Sequence, residues 1–243
     1  VCENGTAAMV HPYAGTHDDT GLAFLAPELL MEAVPQTMAA GIQPHFHGIG
    51  DRAIRDALDS VAAGSASDAA ATRPHIAHVQ VVAPEDVQRF AELGVAVNAQ
   101  TLWACHDDTM VELTTPRLGE ERSSWQFPFR SLIDAGATFA CGSDWAVSTP
   151  NPFPQMFVAA TRRMPDDDRV FHSEQAISLY EALQGFTTGA AWVNHDEARS
   201  GSITPGKVAD LVVVDGDPLN IDTVLDAEVV TTFVDGVVVY ERP

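Results

Sequence analysis

No run of about 18 apolar residues occurs anywhere in the chain, which excludes membrane-spanning helices. Basic residues are scarce: 13 Lys and Arg stand against 34 Asp and Glu, a formal net charge of -21. Nucleic acids and anionic membranes need a Lys/Arg surface to displace counterions, so neither is expected as a partner. Cysteine is sparse too. Cys2, Cys105 and Cys141 show no C-x-x-C spacing, and an odd, low count reads as reduced thiols in a cytoplasm. No signal-peptide pattern opens the chain, and Val1-Cys2-Glu3-Asn4-Gly5 lacks an initiator Met, so the expectation is a start inside a longer gene product. Internal repeats and low-complexity tracts are missing. What remains is globular in character: 243 residues, 46% hydrophobic, enough for one large domain or two small ones. The acids are scattered, with one run at Asp166-Asp167-Asp168, as on a solvated acidic surface.

Strands and helices alternate along most of the chain, the pattern of an α/β parallel sheet. Strands are expected at Ile42 to His47, His75 to Val82, Val95 to Gln100 and Ala137 to Cys141. Pro44 counts against the start of the first. Asp51 is placed to cap a helix whose apolar residues Ile54, Ala57, Leu58 and Val61 fall at helical spacing, and Gly64 stops it. Pro84, Glu85 and Asp86 open a second helix that Gly94 closes. A long irregular stretch runs to about Trp125, and Ser131 to Ala135 reads as helical. Ser178 and Glu181 have capping-box spacing and start a helix reaching about Trp192. Only strands follow: Ala209 to Val214, Glu228 to Val234, and Val237 to Tyr240 across an Asp235-Gly236 hairpin turn.

The chemistry-bearing residues collect at strand ends. In His45-Phe46-His47, positions i and i+2 face one side of a strand, so both imidazoles can converge on one point. His75 and His78 are three apart and face opposite ways, so only one of them looks inward. Asp144 ends the fourth strand in the same manner. In β/α barrels the active site forms at the C-terminal ends of the strands. Imidazole nitrogen and carboxylate oxygen are the ligands of a catalytic zinc, which lowers the pKa of its bound water to about 7. A carboxylate beside that water can take its proton.

Two other motifs fail on context. Gly48-Ile49-Gly50-Asp51-Arg52-Ala53 resembles half of a dinucleotide fingerprint, but the acid that should close the second strand is missing; Asp68 precedes that strand. Gly201-Ser202-Ile203-Thr204-Pro205-Gly206-Lys207 spells most of a P-loop, yet Val208 stands where Ser or Thr is needed and a strand follows in place of a helix. There is no G-x-S-x-G elbow.

At the same residues the chain resembles the amidohydrolase superfamily, in the family 3 branch that includes N-substituted formamide deformylases. His47 to Ala53 is similar to that branch's H-A-I-G-D-R-A at barrel strand 5, and His75 to Gln80 to its strand-6 R-I-E-H-x-Q. Gly142 to Val147 is similar to its strand-8 G-S-D-x-P-V, and Gly201 to Val214 to the strand that re-enters an accessory β-sandwich. The resemblance implies the C-terminal half of a metal-dependent hydrolase. Residues 1–195 would form strands 5 to 8 of a (β/α)8 TIM barrel, and residues 196–243 part of the β-sandwich. It implies a divalent metal, zinc first, as one or two ions held by His47, His78 and Asp144, with Asp144 also the general base. Fe, Mn or Ni suit the same ligands. His45 and Trp145 become residues behind the ligands or facing the substrate, and His75 points away. The implied reaction is hydrolysis of a C–N bond, of amide or formamide type, in a small molecule. Ala77 and Ala146 depart from the pattern, where the family has Glu and Pro, and loss of a carboxylate behind a ligand commonly costs 10–100-fold in metal affinity or activity. The family's strand-1 His-x-His pair is missing. A rival reading follows: a truncated paralogue or fragment that keeps the scaffold and needs a partner. Half a barrel offers two unpaired strand edges, suited to self-association or to a complementing N-terminal half. A nucleotide-binding module ranks last.

Overall fold

The computed structural model describes residues 1–243. Four short strands, β1 (His45–Gly48), β2 (His75–His78), β3 (Ala96–Ala99) and β4 (Phe139–Cys141), form a parallel sheet in sequential order. Both outer edges, on β1 and β4, are unpaired within the sheet. Helices fill the connections: α1 (Pro27–Ala39) precedes β1, and α2 (Asp51–Ala62) and α3 (Ala66–Thr72) join β1 to β2. A 3-10 turn (Pro84–Asp86) runs into α4 (Val87–Leu93) before β3, and α5 (Thr115–Ser123) and α6 (Phe129–Asp134) precede β4. After the sheet come α7 (Pro152–Thr161), α8 (Leu179–Gln184) and α9 (Ala190–Val193). None of these helices is long and apolar enough to cross a membrane.

Strand alternation divides the sheet into two unlike faces. Phe46, Ile76, Val97 and Phe139 stand in register across all four strands, and all four pack into the main core with Ile54, Leu58 and Phe90. Each fully buried aliphatic or aromatic side chain in such a layer contributes about 1.5–3 kcal/mol. The opposite face carries the rows His45–His75–Ala96 and His47–Ala77–Asn98–Ala140. Small and polar side chains replace large apolar ones there. Most of the helices cover the first face; the second carries the chemistry, with Val193 of α9 packed on its Ala96 and Ala140.

Several elements differ from the sequence expectation, each for a local reason. β1 begins at His45, because Pro44 has no N–H to give a neighbouring strand. β2 stops at His78, where φ turns positive at both His78 (74°) and Val79 (51°). Asp51 does not cap α2; Gly50 is the capping residue, and Asp51 Oδ1 accepts from the backbone N–H groups of Val10 and Arg52, each at 2.9 Å. The Gly-x-Gly-Asp motif is therefore a packing device, since a Cβ at Gly50 would lie 2.0 Å from the Ala8 carbonyl oxygen. The capping box at Ser178 and Glu181 is present, but its helix widens into a π turn over Gly185–Gly189. There it presses on β4: a Cβ at Gly189 would fall 2.2 Å from the Phe139 carbonyl oxygen. Helices α1, α3 and α7 have no counterpart in the sequence reading, and α5 lies within the stretch read as irregular.

The chain ends in a separate antiparallel sheet of β5 (Leu211–Asp215), β6 (Glu228–Val234) and β7 (Val237–Glu241). Asp235 and Gly236 both have positive φ, 51° and 75°, as the tight turn between β6 and β7 requires.

Candidate active site

The site lies at the C-terminal ends of β1 and β2. The His47 and His78 rings meet edge to face with centroids 4.5 Å apart. His78 reaches that position because the left-handed backbone at its own Cα breaks the strand alternation. The same break corrects one expectation, that His75 points away. His45 Nδ1 lies 2.5 Å from His75 Nε2, so the rings form a second pair beneath the first. Both histidines of β2 therefore face β1.

Burial keeps the two β2 imidazoles uncharged. His78 is 6% exposed and its pKa falls from 6.5 to about 4, driven by desolvation and then by His47, with the Asp144 carboxylate opposing the drop. His75 falls to about 4 through desolvation and its neighbour His45. The Nδ1 atoms of both rings are buried without a hydrogen-bond partner. A neutral imidazole with an unengaged ring nitrogen is the form in which histidine binds metal.

Neighbouring groups fix His78 from two sides. Its backbone N–H donates to Gln100 Oε1 at 2.9 Å, and Gln100 Nε2 donates to Asn98 Oδ1 at 3.1 Å. Its ring stacks on Trp103, with centroids 5.1 Å apart and planes 12° from parallel. Gln100, Asn98 and Trp103 escaped the sequence reading. An Asn-x-Gln pair on one face of an otherwise apolar strand was the available signal for two of them.

The third expected ligand is not gathered with the other two into a metal-holding group. Asp144 is exposed on a left-handed turn after β4 (φ 53°), where its carbonyl accepts from the Val147 N–H at 2.7 Å. Trp145 is 72% exposed. No group of three His, Cys, Asp or Glu side chains is placed to hold a metal ion. The donor chemistry suits a divalent metal, and two of the three donors converge. A cavity of about 480 Å³ opens beside His45, Phe46 and His47, walled largely by apolar side chains including Ala7, Leu22, Phe24 and Leu25.

The sequence profile of the amidohydrolase family matches residues 1–240, and the chain belongs to that family, in its family 3 branch. It is 31% identical to protein LONG AFTER FAR-RED 3 of Arabidopsis thaliana, over 98% of this chain and 41% of that protein. It is 29% identical to the N-substituted formamide deformylase of Arthrobacter pascens, over 96% of this chain and 42% of the enzyme. Among solved structures, an uncharacterized metal-dependent hydrolase from Pyrococcus horikoshii superposes with a TM-score of 0.76 at 25% identity, covering 90% of this chain and 43% of its own. The chain thus spans less than half the length of these relatives.

Proposed function

We propose that this member of the amidohydrolase family is the part of a metal-dependent hydrolase that supplies strands 5 to 8 of a (β/α)8 barrel, over residues 1–195. Residues 196–243 are its share of an accessory β-sandwich. The sequential parallel order β1-β2-β3-β4 supports this, because successive βα units of a barrel are laid down in that order. The reaction is hydrolysis of a C–N bond, of amide or formamide type, in a small molecule.

One observation carries the reading: His47 and His78 converge at adjacent strand ends with a buried ring nitrogen of His78 unengaged. These two imidazoles and the Asp144 carboxylate would hold a divalent ion, zinc by preference for nitrogen and oxygen donors. The bound ion would supply Lewis acidity toward a carbonyl and a water acidified to a pKa of about 7. The protein's own groups do the rest. Burial holds His78 neutral at pH values where a free imidazole begins to protonate. Gln100 fixes the backbone of that residue. Asp144, exposed past the end of β4, takes a proton from the attacking water and returns it to the leaving amine. His45 and His75 brace the strand ends from below.

Zinc titration of the wild type against His47→Ala, His78→Ala and Asp144→Asn tests the assignment. Each substitution should weaken binding by at least about tenfold; equal affinity in all four proteins would end it.

A second reading is favoured by one feature, the absence of a three-ligand group in this chain. On that reading the chain keeps the scaffold and gains a working site only with the remainder of a barrel added along both open edges, β1 and β4. Zinc binding that appears only after a fragment carrying barrel strands 1 to 4 is added would support it.

A further inference from the structure

Trp103 does two things at once. Its ring stacks on His78, and its indole Nε1–H donates to Ser148 Oγ at 2.8 Å. Ser148 lies four residues beyond Asp144 in the loop that leaves β4. A second stitch runs in parallel. Thr101 Oγ1 donates to the Gln155 carbonyl at 2.9 Å, and the fully buried Gln155 side chain donates from Nε2 to the carbonyls of Thr149 and Asn151, each at 3.1 Å. The β4 loop is thus anchored over Ser148 to Asn151, on the 3-10 turn Thr101–Trp103 that follows β3. Between β4 and that anchor, Asp144 to Val147 is largely exposed.

From this arrangement we infer that Trp103 is a positioning residue, tying the imidazole of His78 and the Asp144 loop into one mechanical unit across β3. His78 and Asp144 come from β2 and from beyond β4, strands that do not touch. Gln100 secures the His78 backbone, and its own side chain is held by Asn98 of β3, not by the β4 loop. The indole is the link between the His78 ring and the anchor that follows the Asp144 turn in the chain. The consequence for metal binding rests on the ligand assignment proposed above. The link itself does not, because it consists only of the stack on His78 and the bond to Ser148.

The test uses the full chain with Trp103→Phe and Ser148→Ala. Phe keeps an aromatic face against His78 and loses the donor; Ala removes the acceptor. Each breaks the same hydrogen bond, whose usual net worth corresponds to about a 2- to 12-fold change in a local opening equilibrium. Amide hydrogen exchange over residues 142–148 should quicken by that factor in both variants, with the global unfolding midpoint nearly unchanged. The double variant should be no worse than either single one. A purely structural tryptophan would lower the global midpoint and leave local exchange alone. Unchanged exchange in Ser148→Ala, or single effects that simply add, would overturn the inference. Zinc titration of the same proteins separates the two ideas. If the wild type binds no more zinc than His47→Ala, the ligand assignment fails, while the exchange data still decide the link. If the wild type does bind, both variants should lose affinity by a similar factor.

Discussion

The buried, neutral histidines of β2 give the fold a specific acid lability. Free imidazole has a pKa of 6.5, and in the fold His75 and His78 fall to about 4. A base whose pKa is lowered by folding is protonated first in the unfolded chain. Stability is therefore full above pH 6.5, falls as the pH drops below it, and has lost its whole share below about pH 4. At about pH 5 each ring costs the fold about 2 kcal/mol, and the pair about 4 kcal/mol, a large part of a typical domain's stability. Carboxylates whose pKa is lowered, such as Glu197 beside Arg73, give up their contribution only below their ordinary range near 4.5, so they act later in an acid titration. Asp51 and Asp56 are raised by burial and act in the opposite sense, gaining stability as they protonate. The loss of stability between about pH 6.5 and about pH 5 is therefore assigned to the imidazoles. The measurement is urea unfolding with chelator present, at about pH 7, 6 and 5, for the wild type and His75→Gln. The substituted glutamine side chain cannot titrate, so the loss between about pH 7 and pH 5 should shrink by about 2 kcal/mol. Comparing losses within each protein removes whatever the substitution costs at neutral pH. An identical loss in both proteins would refute the reasoning, because it would mean that His75 is protonated in the fold as readily as in water.

Three further outcomes follow from packing and charge. Asp86 is 1% exposed and accepts from Arg55 Nε at 2.9 Å and Arg89 Nη1 at 2.8 Å, so Asp86→Ala should cost about 2–3 kcal/mol in urea unfolding. Both arginines keep a second acid, Glu85 and Asp59, which holds the cost below that of a fully orphaned charge. Gly50→Ala drives a Cβ to 2.0 Å from the Ala8 oxygen and 2.8 Å from Met9 Sδ, and should lower stability by about 2–4 kcal/mol; a shift under about 1 kcal/mol would show that the segment yields. Arg162 is fully buried with Nη1 and Nη2 unpartnered, and desolvation pushes its pKa down to about 9. Arg162→Met removes the buried charge at similar volume between Phe129 and Phe171, so thermal unfolding should show equal or higher stability despite the lost bond to the Phe171 carbonyl.

The parts of the fold legible in the sequence are those where one local rule acts alone. The hairpin at Asp235-Gly236 needs two residues tolerant of positive φ, and those two supply it. The capping box at Ser178 closes within four residues and formed as expected. The helices that escaped notice start at proline, as α1 does at Pro27 and α7 at Pro152, or are too short to show a period, as α3 is. Proline at a first helical position is compatible with a helix, yet next to Pro35 and Pro154 it reads as a loop. The π turn at Gly185 depends on contact with β4, a relation between segments more than forty residues apart.

The site divides along the same line. Strand alternation assigns His45 and His47 to one face correctly, because β1 is regular there. It fails at His75 and His78, because it assumes a backbone that stays extended, and β2 does not. The left-handed turn at His78 cannot be read from His-Ile-Ala-His. It is held by Gln100, 22 residues away, which engages the His78 N–H that continued pairing would otherwise use. Asn98 then holds Gln100, and the indole of Trp103 covers the ring. On the side away from β1, the residues that hold His78 in this position thus come from β3 and the turn after it, a strand that offers no ligand of its own. A motif can name ligands, but the groups that aim them lie on neighbouring strands, where only the register reveals them. On this sheet that makes β3 the place where substitutions should tune the site without removing any donor.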